Sequence, residues 1–163
     1  MRAPLAVVVL LAVPAVALAQ DEDTFGEPEQ RGDRVNVVAW GGTLLDLRGD
    51  ASGAGLLGGE VSYSFETLDV GVLAQEYRLD PARSSREWTP VVLLRLEQRF
   101  ETRRGLEAVV ALGMGAARPN GWQAWFQFAF GLRLGLGPLF LAGEVGFEQL
   151  DLFRLAAGVG VRF

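Results

Sequence analysis

Between Trp125 and Gly137 the sequence reads WFQFAFGLRLGLG, with a large apolar residue at every even position: Phe126, Phe128, Phe130, Leu132, Leu134 and Leu136. Gln127, Ala129, Gly131, Arg133 and Gly135 occupy the odd positions. A period of two belongs to a strand whose faces meet different surroundings, and no helix reproduces it. The stretch is therefore committed to a sheet. Alternation leaves open which face is apolar: a soluble barrel turns it inward, a membrane barrel turns it to lipid.

The same pattern recurs along the chain. Eight alternating segments can be marked, at 34–45, 56–67, 68–79, 88–100, 106–117, 122–136, 139–149 and 153–163. Each is near the ~10 residues that a tilted strand needs to cross a bilayer. The connections ETLD, ETRRG and LGP are short, and they alternate with LDLRGDASGAG, DPARSSRE and ARPNG; the last connection, QLDL, is short although it falls on the longer side. In an antiparallel barrel every second connection lies at the same end, so the lengths are sorted by side, as in membrane barrels with tight turns at one rim. The fold class expected is all-β, an eight-stranded antiparallel up-and-down transmembrane β-barrel occupying residues 34–163.

The less apolar face decides the orientation. In the fifth segment it carries Glu107, Val109, Ala111, Gly113 and Gly115, and in the eighth Arg154, Ala156, Gly158, Gly160 and Arg162. A face bathed in water would be crowded with polar residues. Small residues with a few Arg and Glu suit instead the narrow lumen of an eight-stranded barrel. In the fourth segment Val92, Leu94 and Leu96 then point to lipid while Arg95, Glu97 and Arg99 point in. The reverse assignment is the soluble alternative. On the lipid-facing reading Phe128 rejects a charge, whereas Gln127 accepts Glu or Ser.

The N-terminus reads as an address. Met1-Arg2, the apolar PLAVVVLLAVPAV and Ala17-Leu18-Ala19 fit a cleavable signal peptide over 1–19. The acidic QDEDTFGEPEQRGDR that follows has no apolar period, so residues 20–33 are expected to form a mobile leader. The formal charge of −5 and scattered arginines speak against nucleic acid. The chain has no Cys and no His, which removes disulfides, thiolate ligands and the commonest general base. No metal, cofactor or catalytic residue is assigned. Ser52, Ser62, Ser64, Ser84 and Ser85 have no His to activate them.

The chain ends GVGVRF, an aromatic residue preceded by apolar side chains at alternate positions. Together with the signal sequence, eight segments and sorted loops, this resembles the small bacterial outer-membrane barrels of the outer membrane protein A, X and W type. The resemblance implies the cell outer membrane as location, lipid and lipopolysaccharide as surroundings, and a monomer. It also implies that Phe163, with Val161 and Val159, forms a signal read by the barrel-assembly machinery. Trp88, Trp122 and Phe153 would mark the outer interface, and Tyr63, Phe65, Phe100 and Phe163 the periplasmic one.

Two shorter motifs carry less. Gly53-Ala-Gly55-Leu-Leu-Gly58 matches GxGxxG but opens a strand, not a βαβ unit. Arg31-Gly32-Asp33 and Arg48-Gly49-Asp50 match an adhesion tripeptide that a Gly-centred turn explains equally well.

The lumen charges are the candidate site. Arg95, Glu97, Arg99, Glu107, Arg133, Glu144, Glu148 and Arg154, with Glu60, fall on the inward face, where buried charge must be paired. A turn centred on Arg103 sets Arg99 opposite Glu107, and one centred on Asp151 sets Glu148 opposite Arg154. Such a salt-bridged plug favours a non-enzymatic structural or surface-interaction barrel. A narrow pore, or a conduit for small apolar molecules, is the first alternative. A soluble extracytoplasmic ligand-binding barrel is the second.

Overall fold

A computed structural model of the chain describes residues 34–47, 53–78, 88–103, 105–118, 121–149 and 151–163. The expected signal peptide, the leader and both Arg-Gly-Asp tripeptides lie outside the described residues. The strands are β1 Arg34–Asp46, β2 Gly53–Phe65, β3 Leu68–Arg78, β4 Trp88–Arg103, β5 Leu106–Ala117, β6 Gln123–Leu136, β7 Leu139–Glu148 and β8 Leu152–Arg162. Each pairs antiparallel with its sequence neighbours, and β8 pairs back onto β1, so the sheet closes with no edge.

Turn chemistry places the strand ends. Thr67 and Glu66, which takes a φ of 45°, close a tight turn, so β2 stops at Phe65 and starts earlier than its alternation suggested, at Gly53. The GxGxxG stretch thus lies wholly within β2 as barrel wall. Gly105, with φ near 80°, turns β4 into β5 in a conformation that costs other residues more. The tight turns 66–67, 104–105 and 137–138 share one rim with the start of β1 and the end of β8. The ends of β1, β3, β5 and β7 and the starts of β2, β4, β6 and β8 lie at the other, the end to which the sequence assigns the longer connections.

The two faces separate as the alternation requires. Leu94, Leu112, Met114, Phe126, Phe130, Leu141 and Val159 are exposed on the outside. Arg95, Glu97, Glu107, Gln127, Arg133, Glu148 and Arg154 are buried inside. The soluble assignment, with Arg95, Glu97 and Arg99 outside, is overturned for this wall. Inside, Leu44, Ala54, Leu56, Tyr77, Val91, Leu93 and Ala117 form an apolar block toward the long-loop ends of β1 to β5. Charged residues fill the space beside and below it.

Candidate functional site

The buried charges form one connected chain. Arg95 on β4 contacts Glu60 of β2 at 3.1 Å, Glu97 of its own strand at 3.0 Å, and Glu144 of β7 across the lumen. Glu97 also pairs with Arg133 of β6, which reaches Asp69 of β3 at 2.8 Å. Asp69 is shared with Arg99 at 2.9 Å; Arg99 lies 3.8 Å from Glu107, and Glu107 meets Arg162 of β8 at 2.8 Å. In the other direction Glu144 lies 3.6 Å from Arg154, and Arg154 pairs with Glu148 at 3.1 Å. Acid and base alternate from the long-loop end to the short-turn end. Planar guanidinium groups suit this arrangement because each can serve several carboxylates at once.

Two aromatic rings hold the arginines apart. Trp40 has the guanidinium carbons of Arg95 and Arg154 at 5.6 and 5.7 Å from its ring centre. Phe140 has Arg133 at 5.4 Å and Arg162 at 4.8 Å. A ring face attracts cations, so two like charges can approach the same ring; at Trp40 the shared carboxylate Glu144 assists. The rings fit because β8 offers bare backbone. Trp40 pairs with Gly158 and Phe140 with Gly160, and a Cβ at either glycine would collide with the ring. The Trp40 indole N–H also donates to Glu60 at 3.0 Å.

At the long-loop end Glu148 accepts from Gln75 at 2.9 Å, Trp125 at 2.7 Å, Gln127 at 2.9 Å, Arg154 at 3.1 Å and the Tyr77 hydroxyl. Five donors satisfy this carboxylate in a space that excludes solvent. Gln127 is therefore not a permissive site. Glu at that position would set a second carboxylate beside Glu148, so Gln127→Glu is expected to cost more than Gln127→Ser, which removes one of five donors.

Both expected cross-strand registers are corrected. Arg99 faces Val109, not Glu107, because the sequence-based turn centre ignored a bulge between Glu101 and Arg103. Arg154 faces Gly146, not Glu148, because β7 and β8 pair about a centre one residue earlier, with Gln149 at φ 51° just past the end of β7. Each error is an even number of residues, so the faces are unchanged. The side chains still meet, reaching diagonally across the ladder.

All nine lumen charges singled out by sequence, Glu60 included, belong to the one network. Sequence reasoning missed Asp69, Arg162, Tyr77, Gln75, Trp40 and Phe140 as its members. Asp69 lies within the expected segment 68–79, and continuing the alternation of β3 backward through Gln75, Leu73 and Gly71 turns it inward. Among the assembly-signal candidates, Phe163 and Val159 are exposed, and Val161 half-buried. Phe163 exchanges backbone hydrogen bonds with Val35 at 2.9 and 3.3 Å. Of the interface aromatics, Trp122 is exposed on the long-loop rim, and Tyr63 stacks edge-on against Phe65 near the other. The described residues contain no cluster of three or more His, Cys, Asp or Glu able to hold a metal ion.

This architecture defines a class: a closed eight-stranded barrel with polarity inverted relative to a soluble domain. Solved structures share it. The N-terminal β-barrel domain of Pseudomonas aeruginosa OprF superposes with a TM-score of 0.60 at 17% identity, covering 80% of this chain and 97% of that one. Neisserial surface protein A superposes at 0.59 and 16% identity, covering 82% and 98%. A de novo designed transmembrane β-barrel does so at 0.60 and 17%, covering 83% and 100%. The chain thus has the fold of the small bacterial outer-membrane barrels, and at these identities the likeness is one of fold. No family model matches the sequence, and no curated protein matches it.

Proposed function

We propose that this chain is an integral outer-membrane barrel with a structural or surface-interaction role, non-enzymatic and closed to solutes. The observation that carries this reading is the pairing of an exposed apolar wall with a lumen of large, buried, ion-paired side chains. Phe126, Phe130, Leu94 and Met114 would each lose contact with water on entering hydrocarbon, which is favourable by roughly 25 cal/mol per Å² of apolar surface. Within the barrel, Arg95, Arg133 and Arg154 rank among the largest fully buried side chains. The charges that line the lumen are held in ion pairs from end to end, which favours a plug over an open channel. Export by the signal peptide and insertion by the assembly machinery through Phe163, Val161 and Val159 belong to the same reading, as does a monomer surrounded by lipid and lipopolysaccharide.

The test has two parts. The mature chain refolded into lipid vesicles should show heat-modifiable gel mobility. The same preparation in planar bilayers should give no steady conductance. Stable channels would favour the narrow-pore alternative, and a mature chain that remains monomeric in buffer without detergent would favour the soluble one.

A further inference from the structure

The outward wall of β4 to β7 is not uniform. Two rows of side chains, Leu96, Leu112 and Phe128 in one and Leu94, Met114 and Phe126 in the other, flank an apolar trough of about 700 Å³. Between the rows the floor is formed at Gly113 and Gln127, register partners whose row belongs to the lumen face. The volume falls within the range of small-molecule clefts. Toward the long-loop rim the next outward pair is Ala116 and Ala124, which leaves a slot where the rows below carry Met and Phe. Arg118 continues the outward register of β5, still tied to β4 by its backbone N–H to the Pro90 carbonyl at 3.1 Å, and is exposed. Trp122 stands two residues before Ala124 on the neighbouring strand and is 64% exposed. A guanidinium and an indole at the rim, small residues beneath them and an apolar trough below match the sequence of headgroup, backbone and chain in a lipid.

We propose that this face holds one lipid with an anionic phosphate headgroup, its phosphate on Arg118 and one acyl chain in the trough. The proposal rests on the outer-membrane reading and deepens it by naming a site on the wall. Charge complementarity selects the phosphate, since guanidinium meets phosphate oxygens with charge-assisted hydrogen bonds. Trp122 fits the boundary between headgroups and chains, where amphipathic rings concentrate. The trough is lined by Leu, Met and Phe side chains, which suit an acyl chain.

The experiment is native mass spectrometry of the folded full-length mature barrel released from micelles containing dimyristoyl phosphatidic acid or, separately, dimyristoylglycerol. Phosphatidic acid should be retained one per barrel, and the glycerol, with the same chains and no phosphate, should not. Arg118→Gln should lower retention about tenfold, the usual order for losing a hydrogen bond to a charged group. Ala116→Phe should lower it similarly by filling the slot. Arg34→Gln, at the opposite rim, should leave it unchanged. Equal retention of both lipids, or equal loss in Arg118→Gln and Arg34→Gln, overturns the site. Insertion into vesicles is scored first by heat-modifiable mobility. A barrel that inserts but shows no Arg118-dependent adduct defeats only this inference, whereas failure to insert defeats the outer-membrane reading and the site with it.

Discussion

The two faces of one strand are specified in different ways. On β4, Arg95 touches Glu97 of its own strand and, on other strands, Glu60, Glu144 and the Trp40 ring, each at a particular place. Its neighbour Leu94 points outward and is 55% exposed. The lumen position is defined by partners, the outer one only by being apolar. A barrel with its solvent outside in would thus tolerate exchange among aliphatic residues on the wall, while inside each residue depends on several others.

The sharpest way to break this comparison is to truncate both residues. Arg95→Ala leaves Glu60, Glu97 and Glu144 without their shared cation in a buried space. Breaking such a group costs about 3–5 kcal/mol, and urea unfolding in lipid vesicles should show a loss of that size. Leu94→Ala should cost less than about 1 kcal/mol, in the range of substitutions away from packed cores. Similar losses at the two positions would mean that the lumen network contributes no more than the wall.

A second pair works in the opposite sense, adding charge instead of removing it. Phe128→Arg places a cation on the outer face and should cost about 2–4 kcal/mol if it lies near mid-bilayer. Gln127→Ser loses one donor to Glu148, which keeps four others, and should cost about 1 kcal/mol. Gln127→Glu should approach the Phe128→Arg loss, for the different reason that two carboxylates then share one pocket. Refolding yields by gel mobility would rank the three, and Phe128→Arg as the mildest would reverse the assignment of faces.

How much of this was legible in the sequence follows the same division. The strands, their faces and the closed barrel come from a period of two and from turn residues, both local signals. β6 is readable from thirteen residues. The partners inside the lumen are not local. Whether Phe140 faces in or out is settled by its packing over Gly160 and between two arginines, and Arg162 reaches Glu107 from the far side of the barrel. The hairpin registers failed for a third reason, because a bulge and a positive φ add or remove residues without altering the hydrophobic pattern. Alternation constrains parity and is blind to a shift of two.

The smallest effect lies at Glu107, one of the carboxylates that two arginines share. Glu107 meets Arg162 at 2.8 Å and Arg99 at 3.8 Å, and Arg99 also pairs with Asp69 at 2.9 Å. If direct opposition across the hairpin mattered most, the adjacent strand's Arg99 would be the stronger partner. The corrected register predicts otherwise, since Arg99 reaches Glu107 only diagonally. In double-mutant unfolding cycles, Glu107→Ala with Arg162→Ala should show a coupling of about 1–2 kcal/mol, within the range for residues in one network. Glu107→Ala with Arg99→Ala should show about 0.5 kcal/mol, because Arg99 retains Asp69 when Glu107 is removed. Added salt should reduce the first coupling, as Arg162 is 12% exposed near the rim and therefore partly screened. A larger coupling to Arg99 than to Arg162 would restore the hairpin centred on Arg103, and with it the strictly opposed pair that the bulge in β4 removes.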